Sequence, residues 1–102
     1  MARFSHCRVR RKGEGTMRFP EGWSGDEKRM SKCFRFSGFS EAVAFMVEVG
    51  FYCERVDHHP EWKNIYDKVW VELTTHDAGG VTEKDIALAA RMETVYARAA
   101  RG

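Results

Sequence analysis

Long apolar runs are missing from this chain. None approaches the roughly 18 consecutive residues of a membrane-spanning helix, and the N-terminus lacks the apolar stretch of a secretory signal. A cytoplasmic protein is expected, with nuclear residence compatible. A surplus of one charge sign is missing too: 17 Lys and Arg against 15 Asp and Glu leave a formal net charge of +2. That balance excludes the basic excess of a dedicated nucleic-acid binder, and neither nucleic acid nor membrane is expected as a partner. Cysteine is scarce. Cys7, Cys33 and Cys53 are odd in number, widely spaced and without a CxxC pair, which argues against a disulfide framework or a zinc ribbon and for a reducing compartment. What remains, 102 residues of which 31% are charged, is room for one ordinary globular domain whose core forms without staples.

Two parts are expected. Residues 1–20 carry Arg3, Arg8, Arg10, Arg11 and Lys12 against a single acidic residue, with Gly13, Gly15 and Pro20 as punctuation. This reads as a basic, irregular arm, and a run so short is expected to be a solvated terminus rather than a phosphate or headgroup contact. Residues 21–102 read as the folded domain. In "KCFRF", Cys33 and Arg35 alternate with Phe34 and Phe36, the period of a half-buried strand. Ser40 is placed to cap a helix whose Val43, Met46, Val47, Gly50 and Phe51 recur at helical spacing. Val69, Val71, Leu73 and Thr75 then alternate with Trp70, Glu72, Thr74 and His76, after a short hairpin from a strand around Ile65. Thr82 and Asp85 form a capping box for a last helix with an apolar face of Ile86, Ala89, Ala90, Met92, Val95, Tyr96 and Ala99. The order predicts an α+β fold, an antiparallel four-stranded sheet with the helices on one face. Its other face would bear Trp70 and Glu72, and an open tryptophan there predicts self-association.

The stretch "ERVDHHPEW" is where chemistry concentrates. Continued at the same step, the apolar stripe of the first helix reaches Glu54 and then His58, where Pro60 ends the helix. A buried face that turns into carboxylate and imidazole is a site candidate, unless the last turn is merely exposed. His76 stands at a strand end, followed by Asp77 and the Gly79-Gly80 break.

Spacing narrows this further. Glu54, three residues, His58-His59-Pro60, five residues, Tyr66, nine residues, His76, eight residues, Asp85 resembles the signature of the pterin-4a-carbinolamine dehydratases. So do "GW" at Gly22-Trp23, "AFMVEV", "VDHHPEW", "IYDK", "LTTH" and "TEKDIALA", and the resemblance runs from Gly22 to near Arg98. It implies a hydro-lyase that converts 4a-hydroxytetrahydropterin to quinonoid dihydropterin and water in tetrahydrobiopterin recycling, with neither metal nor redox cofactor. It implies a pterin held by Asp57, His58, His59, Thr74, Thr75, His76 and Asp77. His58 and His76 would share the acid and base work, His59 would bind and orient, and Glu54, Pro60, Trp62 and Asp85 would support them. Such chemistry needs an acid for the leaving oxygen and a base for the adjacent nitrogen's proton, and histidine serves in either role near neutral pH. The resemblance also implies a homo-oligomer, a dimer or tetramer.

This chain departs from the family pattern in its arm, which lacks the period of the usual first helix, in the short "SGDEKRM" loop, and in Asp77, where glutamate is common. Two rival readings stand beside the enzyme. His58, His59 and His76 with Glu54 or Asp57 would suit zinc by residue type, although neighbouring histidines rarely converge on one ion. The other rival is an interaction module, since some animal family members act as dimerisation cofactors for a transcription factor.

Overall fold

The computed structural model describes residues 19–101, side chains of residues 100 and 101 excepted. The basic arm lies outside the described residues up to residue 18. Phe19, next in the chain, packs against the core.

Strand β1 (Ser24–Gly25) and strand β2 (Met30–Arg35) lead into helix α1 (Phe39–Val56). Strands β3 (Glu61–Ile65) and β4 (Lys68–Leu73) follow, then a single 3-10 turn at His76–Ala78 and helix α2 (Glu83–Arg101). The four strands form one sheet in the order β1-β2-β4-β3, and every neighbouring pair is antiparallel. Phe34, Val69, Val71 and Leu73 of the sheet join Ala42, Phe45, Val49 and Cys53 of α1 and Leu88, Ala89, Met92 and Val95 of α2 in one buried cluster. Both helices therefore cover the same sheet face, the α+β arrangement that the strand and helix periods predict.

The first hairpin is short because Asp26 closes it. Its Oδ1 accepts the N–H groups of Lys28 at 2.8 Å and Arg29 at 3.2 Å, an aspartate-capped turn that needs no further residues. Gly25 permits the closure: at its φ of 137°, a Cβ would lie 2.2 Å from the Arg29 carbonyl oxygen.

Helix α1 differs from the sequence reading at three points. It begins at Phe39 with Gly38 as an extended N-cap and no side-chain cap bond, so Ser40 falls inside the first turn. Glu41 serves that end instead, accepting the Ser37 N–H at 3.3 Å. The buried stripe is Ala42, Phe45, Val49 and Cys53, turned by about a third of a turn from the expected one at 100° per residue. Val47 is 53% and Phe51 71% exposed. The helix is apolar on two flanks, and periodicity alone does not say which one meets the sheet. Lastly, Asp57, not Pro60, stops the helix: its backbone is left-handed at φ 57° and ψ 47°, a conformation that aspartate tolerates better than most residues. Cys53 O accepts the N–H groups of both Asp57 and His58, and His58 leaves the helix rather than finishing it.

The outer sheet face is also corrected. Trp70 and Glu72 alternate outward as expected, but Trp70 is only 8% and Glu72 4% exposed. Lys63 Nζ stands 5.6 Å from the indole centroid, and Glu72 holds Arg29 at 3.0 Å. Trp70 is therefore no open patch.

Candidate active site

Register gathers the chemistry-bearing residues at one end of the sheet. Glu61 pairs with Glu72 and Met30 with Leu73, so the start of β3, the start of β2 and the end of β4 coincide. The His58–Pro60 segment thus enters the sheet beside the segment through which Thr74, Thr75 and His76 leave it. The first turn of α2 arrives there too, anchored by the Val81 N–H, which donates to Glu27 O at 2.8 Å.

Asp85 is the hub. It occupies the third position of α2 and is fully buried at 0% exposure. Its Oδ2 accepts the Thr82 N–H at 2.9 Å, and the Lys84 N–H donates to Thr82 Oγ1 at 3.2 Å. This is the capping box read from the sequence, but the carboxylate also reaches outside the helix. Oδ2 accepts the Thr75 hydroxyl at 2.7 Å, and Oδ1 lies 2.6 Å from His58 Nε2. Thr75 and Thr82 hydroxyls are themselves 2.7 Å apart. A buried carboxylate is tolerable only with such partners, and here both of its oxygens are occupied.

The two adjacent histidines part company. The His58 side chain is 11% exposed against Asp85, whereas His59 is 57% exposed with Nε2 3.6 Å from Glu54 Oε1. His76 opens the 3-10 turn and is exposed, as is Asp77 after it. Asp57 is the exposed helix cap, Thr74 donates to Lys28 O at 2.7 Å, Pro60 is half-buried before β3, and Trp62 packs against the core. Hydrogen bonds thus draw His58, Thr75 and Asp85 into one cluster, while His59, His76, Asp57, Thr74, Asp77 and Glu54 stand separately from it. Thr82 belongs to that cluster as well. The sequence marked it only as a helix cap, and the signal that it does more was its place three residues before the carboxylate of the signature.

No group of three or more His, Cys, Asp or Glu among the described residues is arranged to hold a metal, for the physical reason that His58 turns inward and His59 outward. Burial pushes the Cys53 thiol up, which keeps it a neutral core group rather than a nucleophile. No helix of the described residues is long and apolar enough to cross a membrane.

Comparison with known proteins agrees with the geometry. Residues 10–95 match the family model described as pterin 4 alpha carbinolamine dehydratase. A protein of Opitutus terrae with a provisional pterin-4-alpha-carbinolamine dehydratase name is 50% identical over 76 residues, 74% of this chain and 78% of its own length. One of Rhodopseudomonas palustris strain BisB18, provisionally named in the same way, is 51% identical over 79 residues, 76% of this chain and 78% of its own. Among solved structures, a transcriptional coactivator/pterin dehydratase from Brucella melitensis superposes with a TM-score of 0.71 at 41% identity, covering 72% of this chain and 81% of that one. A pterin dehydratase-like protein identified as a RuBisCO assembly factor in the alpha-carboxysome reaches 0.61 over 72% and 86%. At 21% identity, it shares the fold alone. The chain belongs to the pterin-4a-carbinolamine dehydratase family.

Proposed function

We propose that the protein dehydrates 4a-hydroxytetrahydropterins, in the recycling of tetrahydrobiopterin, by histidine acid and base catalysis. The observation that carries this reading is the His58–Asp85 pair at the sheet end. There a half-enclosed imidazole is fixed by a buried carboxylate, and the exposed His59 and His76 belong to segments that meet the same end. In the reaction the 4a hydroxyl leaves with a proton as water, the neighbouring ring nitrogen gives up its proton, and a carbon–nitrogen double bond forms. His58 and His76 carry those two proton transfers. His59, with Asp57, Thr74 and Asp77, holds the pterin, Thr75 acts behind them through its hydrogen bond to Asp85, and Glu54, Pro60 and Trp62 shape the approach. The reading takes the protein as a cytoplasmic homo-oligomer.

The test is direct. A 4a-hydroxytetrahydropterin generated in place decays spontaneously, and purified protein is expected to accelerate appearance of the quinonoid dihydropterin absorbance in proportion to its concentration. A rate equal to the spontaneous one at every concentration would overturn the reading and leave an interaction role as its successor.

A further inference from the structure

Hydrogen counting fixes the direction of each bond around Asp85. An ionised carboxylate only accepts, and a threonine hydroxyl has a single hydrogen to give. Thr75 spends its hydrogen on Asp85 Oδ2 at 2.7 Å, so the hydrogen in the 2.7 Å contact between Thr75 and Thr82 comes from Thr82. The Thr82 oxygen in turn takes the Lys84 N–H. With Oδ2 filled by Thr75 and the Thr82 N–H, Oδ1 alone faces His58, and at 2.6 Å from Nε2 it requires a hydrogen on that nitrogen. A neutral His58 is then left with Nδ1 bare.

We infer that Asp85 and Thr75 are positioning residues that hold His58 as the Nε2–H tautomer, so that His58 exchanges its proton with the pterin through Nδ1. The role in turnover rests on the dehydratase reading, whereas the tautomer does not. Nε2–H stays on Asp85 in both protonation states, and only the Nδ1 proton moves. As the acid, His58 gives that proton to the departing hydroxyl oxygen, while His76 takes the proton of the pterin ring nitrogen. The capping box of α2 thereby aims a side chain on another segment: the helix amide orients Thr82, Thr82 orients Thr75, and Thr75 leaves Asp85 one oxygen for the imidazole. A threonine in this chain is worth one hydrogen bond to a charged group, and the geometry of the ring depends on it.

Long-range proton–nitrogen correlation spectra of the full chain labelled at histidine nitrogen read the tautomer directly, assigned by loss of signals in His58→Gln. The wild type is expected to show an unprotonated Nδ1 and a protonated Nε2 for His58 when the ring is neutral. Thr75→Val is expected to mix the tautomers and lower kcat by about tenfold with KM changed by less than about twofold, because one hydrogen bond is lost outside the substrate contacts. Thr75→Ser is expected to restore both. Asp85→Asn should abolish the preference. If that variant fails to fold, the wild-type spectrum and the Val and Ser pair still decide. A wild-type His58 protonated at Nδ1 would overturn the inference, as would a Thr75→Val protein with wild-type tautomer and kcat, or a serine variant no better than valine. An inactive wild type with the expected tautomer would instead remove the dehydratase reading and leave the positioning geometry standing.

Discussion

His76 and Asp85 illustrate opposite costs of losing a polar side chain. His76 is exposed at the start of a turn, and its carbonyl, not its ring, accepts the Gly79 N–H at 3.1 Å. His76→Ala is therefore expected to leave the unfolding free energy within about 0.5 kcal/mol of wild type. On the proposed function it lowers turnover by roughly 10²-fold; denaturant unfolding and steady-state kinetics together check this, and full activity would remove His76 from the proton transfers. Asp85 is buried and satisfies His58, Thr75 and the Thr82 N–H at once. Asp85→Ala is expected to destabilise the protein by about 3 kcal/mol, through a lost helix cap and orphaned buried donors. A midpoint within error of wild type would contradict the hub assignment. Asp85 was legible twice in the sequence, as a helix cap and as the end of the histidine spacing, because capping is local and recurs at fixed offsets. That His58 turns inward and His59 outward was not legible. It follows from the left-handed backbone of Asp57, which nothing in the neighbouring residues announces.

At the scale of the element, α1 is where local pattern and tertiary choice diverge. Its length and its place between strands follow from period and punctuation. Its facing is decided by which flank fits against β4, and the small Ala42 and Cys53 beside Phe45 and Val49 win over the larger stripe that contains Phe51. Asp57 then ends the helix at a cost in backbone energy that glycine would not incur. Asp57→Gly is expected to hold or raise the melting temperature, and, if Asp57 binds pterin, to raise KM; a lower melting temperature would show that the aspartate side chain stabilises the cap. One turn earlier, Cys53 lends α1 a pH dependence. Burial raises the folded thiol above its ordinary value, so its contribution to stability is complete below the unfolded pKa and is lost as pH rises through the folded pKa. The stability difference between wild type and Cys53→Ala should shrink with pH above about 9. A difference constant from neutral to strongly alkaline pH would place the thiol in contact with solvent.

For the whole molecule, the antiparallel sheet and the common face of both helices were legible from alternation and capping, but the strand order and the surface available for self-association were not. Trp70 is closed within the chain, while Phe39, Val47 and Phe51 are exposed along α1. If the proposed homo-oligomer forms through that flank, Phe51→Glu should reduce the mass seen by light scattering and leave the monomer fold intact, since the side chain is 71% exposed. An unchanged mass would put the contact elsewhere. Proton transfer by His58 at the sheet end is tested by paired dehydration rates of wild type and His58→Gln with a 4a-hydroxytetrahydropterin. The wild type is expected to accelerate dehydration well above the spontaneous rate and the variant to lose roughly 10²-fold of that acceleration. Equal rates for the two proteins, whether fast or spontaneous, would contradict it.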